Sequence, residues 1–151
     1  MKMVDWQELV TTSHYQTAVA IRDALQEGNV EDAAIGLEEL IDALSRSDAR
    51  ALRSHLVCLM QHVIKWWLQP QYRSQSWVAT VAIQREEIAD LRIENPRFTD
   101  AYIRERLWGR CVQLALKEAE RDMNQVIPSP PALNWDDVFE TDYELDSHGP
   151  Q

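Results

Sequence analysis

Apolar residues recur along this chain at helical spacing, and no stretch alternates with the β-branched enrichment of a strand, so the pattern predicts an all-α protein. A first helix is expected over residues 15–27, with Ala18, Ile21, Ala24 and Leu25 as its apolar side. Gly28-Asn29 stops it, since Gly is the usual residue of a left-handed C-terminal cap. A second helix is expected over residues 31–44, where Leu37, Leu40, Ile41 and Leu44 make one buried face. Ser45-Arg46-Ser47-Asp48 reads as a break with capping chemistry. The third helix, residues 48–68, carries Leu52, Leu56, Leu59, Val63 and Trp66 on one stripe and ends before Pro70. Residues 71–74 then turn, with Ser74 or Ser76 capping a fourth helix over residues 75–93. On that helix Trp77, Val81, Gln84, Ile88 and Leu91 share a stripe, so Gln84 is polar where an apolar residue is expected. Asn95-Pro96 ends it, and Thr99 caps a fifth helix that reaches about residue 126 with Ile103, Leu107, Cys111, Leu114 and Leu116 among its apolar positions.

Pro128, Pro130 and Pro131 forbid further helix apart from one short turn begun by Asn134-Trp135-Asp136-Asp137. Five helices with short connections predict a single-domain helical bundle over residues 1–131, with the third helix central, followed by a Pro-rich entry into an acidic, flexible tail over residues 132–151. At 151 residues the chain is long enough to bury a core without disulfide or metal. No apolar run approaches a membrane span, and the first residues turn acidic at once, unlike a signal peptide. The expectation is a cytoplasmic protein that neither enters a membrane nor needs a cofactor.

The net charge of −10 argues against nucleic acid as a partner, because that binding rests on neutralising phosphates with Lys and Arg. The charge is segregated. Residues 1–45 hold nine acids and two bases, residues 46–110 hold eleven bases and seven acids, and residues 132–151 hold six acids with no Lys or Arg. The segregation fits acidic helices packed beside basic ones, or an acidic tail that competes with an anionic ligand for the basic middle. Cys58 and Cys111 both lie inside apolar helical patterns and read as buried thiols in a reducing compartment.

The spaced run His62-x-x-Lys65-Trp66-x-x-Gln69-Pro70-x-x-Arg73-Ser74-x-Ser76-Trp77, with Leu37-Glu38-Glu39-Leu40 before it and Gln84-Arg85-Glu86-Glu87-Ile88 after it, resembles the bacterial proteins grouped as domain-of-unknown-function family 29. The likeness spans about residues 15–125. It implies an α-helical fold and a shared motif, and no reaction. Ser45 stands where such proteins usually show Gly, Cys58 where they commonly have an aliphatic residue, and the tail lacks the Cys that theirs often carry.

Three constellations could carry chemistry. At the Pro70 corner His62, Lys65 and Trp66 share one side of a helix, and Arg73, Ser74, Ser76 and Trp77 follow across the turn. This patch either holds a phosphate or carboxylate with help from a helix N-terminus, or is structural, with Arg73 and Lys65 paired to Glu38 or Glu39 of the second helix. His55, Cys58 and His62 fall at i, i+3 and i+7, where Glu38, Glu39 or Asp42 could complete a metal site; the expectation is that no metal is held, Cys58 being a core thiol. Cys58 and His62 at i, i+4 resemble a thiol–base pair, but a catalytic thiolate needs exposure and an electropositive setting. Six tryptophans are many for this length, and Trp66-Trp67 can both be buried only if the third helix is surrounded; otherwise one of them, or Trp108, makes an exposed patch. The expected function is therefore a protein–protein interaction module or homo-oligomer without catalysis, presenting Trp and Arg to its partner. The alternatives are an enzyme or sensor for a phosphorylated or carboxylated small molecule at the His62/Lys65/Arg73 patch, and an acidic partner that masks a basic protein through residues 132–151.

Overall fold

A computed structural model of the chain describes residues 4–145. It is all-α, with no strand among the described residues. No helix of these residues is long and apolar enough to cross a membrane. The elements are α1 (Trp6–Thr12), α2 (His14–Gln26), α3 (Val30–Leu68), a 3₁₀ turn (Pro70–Tyr72), α4 (Gln75–Glu94), α5 (Asp100–Tyr102), a π-helical turn (Ile103–Leu107), α6 (Trp108–Met123) and α7 (Trp135–Phe139). Contacts divide them into two compact units, separated between Arg50 and Ala51.

In the first unit, α1 forms where the apolar pattern gave no helix. Asp5 caps it by accepting from the Glu8 amide, and Ser13 both closes α1 and caps α2 by accepting from the Gln16 amide. Gly28 takes the left-handed conformation expected of the α2 stop, with φ of 83°. The expected break at Ser45-Arg46-Ser47-Asp48 is absent, and the second and third expected helices are one element, α3. Ser, Arg and Asp cost a helix interior only a few tenths of a kcal/mol each, and the segment holds neither Pro nor Gly to interrupt the ladder.

The core of this unit gathers Trp6, Ile21, Ala24 and Ala33, with Val4, Leu9, Ala20 and Leu40 packed against it. The Trp6 indole N–H donates to Asp32 Oδ1 at 2.8 Å, which fixes the ring over α3. Small residues on that face of α3, Ala33, Gly36 and Ala43, are the ones buried. The face expected to be buried is not. Leu37 is 47%, Ile41 49% and Leu44 42% exposed, because the large ring of Trp6 is received by the small residues one face round.

In the second unit α3 is buried all round over residues 63–66. Leu52, Leu56, Leu59, Met60, Val63 and Ile64 have almost no exposure, and Val63 through Trp66 are four consecutive buried positions. Successive helix residues point 100° apart, so four in a row leave no free side, and the central placement expected of this segment follows. Gln84 of α4, the polar residue in an apolar stripe, meets His55 of α3, whose Nδ1 lies 2.6 Å from Gln84 Oε1. Thr99 caps α5 as expected. The following helix stops at Met123, short of residue 126, because Asn124 adopts the left-handed conformation. The acidic segment from residue 132, expected to be flexible, is folded as far as residue 145. Asn134 and Asp137 form a reciprocal capping box, Val138 and Tyr143 are buried, and Arg85 of α4 donates to the Val138 carbonyl at 2.8 Å. The rest of that expectation falls on residues 146–151, which lie outside the described residues.

A Cβ added at Gly36 would stand 2.7 Å from the Trp6 ring, whereas one at Gly109 of α6 meets nothing within 4 Å. Replacing a helix-interior Gly by Ala ordinarily stabilises by about 1 kcal/mol, and overpacking costs about 1–3 kcal/mol. Gly36→Ala should therefore lower the free energy of unfolding by about 1 kcal/mol in urea titrations, while Gly109→Ala raises it by up to about 1 kcal/mol.

Candidate functional site

The Pro70 corner separates into distinct groups of contacts. The Gln69 amide donates to the Lys65 carbonyl at 2.8 Å, Pro70–Tyr72 makes one 3₁₀ turn, and Ser74 caps α4 by accepting from the Trp77 amide at 3.3 Å. Ser76 does not cap. It is exposed, and its carbonyl accepts from the Thr80 hydroxyl at 2.9 Å.

Arg73 turns back on the end of α3. Its Nε donates to the Trp66 carbonyl at 2.8 Å, one of the carbonyls the helix itself leaves without a partner, and its guanidinium lies 4.6 Å from the centre of the Trp66 ring. The Trp66 ring also meets Tyr143 edge to face, centroids 5.5 Å apart. Arg73 and Trp66 thus act together as a clasp on the α3 C-terminus, and the guanidinium's bond goes to backbone rather than to a carboxylate.

Lys65 lies apart from that clasp. It is only 8% exposed, and its ammonium donates to Asp122 Oδ2 of α6 at 3.0 Å while standing 5.0 Å from the Trp77 ring centre. Glu38 and Glu39, the carboxylates expected to receive Lys65 and Arg73, belong to the first unit. They precede Lys65 by many turns on the same continuous helix, and residues of one helix meet only about a turn apart. Asp122, 57 residues away in sequence, supplies the counter-charge instead. The hydrogen bond from Lys65 holds the Asp122 carboxyl below its ordinary range, against an opposing push from partial burial. A cavity of about 560 Å³ opens beside this pair, walled also by Trp77, Tyr72 and Leu68.

His62 lies one turn before Lys65 on α3. Its Nδ1 donates to the Cys58 carbonyl at 2.8 Å, and burial pushes the imidazole below its ordinary value. Cys58 Sγ lies 3.8 Å from the same nitrogen, but burial raises its thiol, and Cys111 is pushed up to about 11 by burial. Both shifts run opposite to what a nucleophilic thiolate requires. Among the described residues no group of three or more His, Cys, Asp or Glu is placed to hold a metal ion. Trp108 forms no bare patch. It stacks on Trp135 with centroids 5.7 Å apart, Phe139 packs against Trp135 at 4.4 Å, and the Arg104 guanidinium lies 4.2 Å over Trp135.

Of the nine motif residues, then, Lys65 and Trp77 meet at the cavity and Trp66 and Arg73 meet at the clasp. Ser74 is a cap, His62 is tied to its own helix, and Ser76, Glu38 and Glu39 join neither group. Asp122 and Tyr143 were missed. Each lies far along the chain from its partner, with no local pattern to mark it.

Two predictions follow from these contacts. Arg73→Ala removes a charged hydrogen bond and a stacked cation, and should cost about 2 kcal/mol in denaturant unfolding; Arg73→Lys should recover less than half, since an ammonium lacks the planar fork. In a pH series, His62 contributes stability that is full above its ordinary pKa of 6.5 and is lost as pH falls below it, because the unfolded chain takes the proton more readily. The depressed Asp122 carboxyl contributes stability that is present above its ordinary 3.8 and is lost at more acid pH. His62→Gln should flatten the loss between about pH 7 and pH 5 and leave the acid limb, and Asp122→Asn should do the reverse.

No curated protein and no solved structure matches the chain. The family described as Domain of unknown function DUF29 matches residues 15–144. With α3 to α7, its Pro70 corner and most of its described residues inside that match, the chain belongs to the DUF29 family.

Proposed function

We propose that the chain is a protein-interaction module that receives a basic amphipathic helix of another protein along the first half of α3. The observation that carries this is the unpartnered stripe Val30, Ala34, Leu37, Ile41 and Leu44, every member of which is exposed. Its spacing alternates four and three residues, which is the spacing of a coiled-coil seam and keeps the stripe facing a second helix over its whole length.

Charge supports the choice of partner. One edge of the stripe runs into the unit's own core through Ala33 and Leu40. The open edge carries Glu31, Glu38 and Asp42, and none of the ion pairs found among the described residues involves them. In a self-paired dimer these acids would face their own copies, and like charges at such positions oppose pairing. Lys and Arg flanking the apolar seam of a partner would instead be attracted, and the excess of acids over residues 1–45 extends that attraction. This reading assigns the basic partner to α3 rather than to the tail.

The test uses a designed helix of about three heptads with Leu and Ile at seam positions and Lys or Arg beside them, and a twin carrying Glu in place of the bases. Fluorescence anisotropy with the full chain should show saturable binding of the basic helix only. Leu37→Glu with Ile41→Glu should weaken it by at least about tenfold while leaving the melting temperature unchanged. Because the substitutions add negative charge, purely electrostatic attraction would strengthen, and that result overturns the proposal. So would a stable dimer in sedimentation that the same substitutions dissolve, or a collapse of the melting temperature.

A further inference from the structure

The cavity beside Lys65 is a different feature in a different unit. We infer that it is a binding site for a small zwitterion, a free α-amino acid, whose carboxylate meets Lys65 and whose ammonium meets Asp122.

The Lys65 ammonium has three N–H donors. One goes to Asp122 Oδ2, and the Trp77 face stands near another. A donor therefore remains for a ligand at the cavity wall that Lys65 lines. Asp122 accepts from Lys65 and from Gln61 on the same oxygen, Oδ2, which leaves Oδ1 with no bond from the described residues. Both residues line the cavity, and among the described residues one Lys65 donor and Asp122 Oδ1 are left without a bond.

The charges at this wall decide the ligand class. Arg73 is not part of the cavity wall, and its guanidinium lies against the Trp66 carbonyl and ring. Lys65 and Asp122 cancel. A phosphate approaching Lys65 meets the Asp122 carboxylate beside it, and a simple amine approaching Asp122 meets the Lys65 ammonium. A molecule with both charges a few bonds apart satisfies both groups at once and brings no net charge into a partly buried site. Polar groups make up most of the wall, Gln69, Gln71 and Gln125 adding amides, and Trp77 and Tyr72 contribute aromatic faces suited to an ammonium. About 560 Å³ is within the range of small-molecule clefts and holds a free amino acid with ordered water.

The experiment follows the Trp77 indole N–H of the full chain by nitrogen-15 NMR, assigned with Trp77→Phe. The probes are L-leucine, L-phenylalanine, the leucine analogues 4-methylpentanoate (no ammonium) and 3-methylbutylamine (no carboxylate), and inorganic phosphate. Leucine or phenylalanine should shift the Trp77 resonance saturably, and both single-charge analogues should bind at least about tenfold more weakly, as expected where a paired polar group is left without its partner. Asp122→Asn makes the site net positive, so it should weaken the amino acid and tighten 4-methylpentanoate. Lys65→Met should abolish both. The inference is overturned if neither amino acid shifts Trp77 up to its solubility, if phosphate outcompetes the amino acid, or if Asp122→Asn leaves the order unchanged. Should Lys65→Met not fold, the Asp122→Asn comparison decides alone.

Discussion

One uninterrupted hydrogen-bond ladder from Val30 to Leu68 governs what every other element can do. An intact α-helix fixes each side chain 100° from the last, so the direction of every residue along α3 is set once the ladder is unbroken. In its first half this assigns Ala33, Gly36 and Ala43 to the side that receives Trp6 and leaves Leu37, Ile41 and Leu44 on another. In its second half the same geometry points Val63, Ile64, Lys65 and Trp66 in four directions that are all covered. The acid that meets the buried Lys65 is Asp122, from another part of the same unit.

That pairing shows why the two cations of the motif are not interchangeable. A lysine at 8% exposure loses most of its hydration, and the hydrogen bond to Asp122 and the Trp77 face offset that loss. A compact ammonium suits that position, where one donor is used and others stay free. Arg73 needs the opposite qualities. Its planar group lies flat on Trp66 while its Nε reaches a carbonyl that the end of α3 leaves open. One residue of the motif is consumed by structure and the other retains bonding capacity at a cavity, although both carry the same charge in sequence.

What could be read from the chain alone divides along the same physical line. Helix stops and starts were legible where a single residue has a strong local preference: Gly28, Ser74, Thr99 and the Asn134–Asp137 box. Gln84 was marked as anomalous by its stripe, and its partner His55 explains the anomaly. Segment 45–48 misled because capping residues are only weakly unfavourable inside a helix, and packing on either side outweighs a few tenths of a kcal/mol. Leu37, Ile41 and Leu44 misled because periodicity reports that a face is apolar, and not whether this chain or another covers it. Asp122 and Tyr143 were invisible, since contacts across 57 or more residues leave no spacing to recognise.

The first unit carries two features that bring the isolated chain nothing. Apolar side chains on the Leu37 stripe remain in contact with water, and the uncompensated acids beside them repel one another. Either alone has an ordinary explanation, since scattered exposed apolar residues and solvated acids are common on protein surfaces. Their registration is the informative part. The stripe keeps a four–three spacing, and the acids lie along the one edge that the unit's own core does not occupy. A basic amphipathic helix laid on that stripe buries the apolar groups and neutralises the acids in one step, and the two unfavourable terms of the free chain then become the favourable terms of the complex.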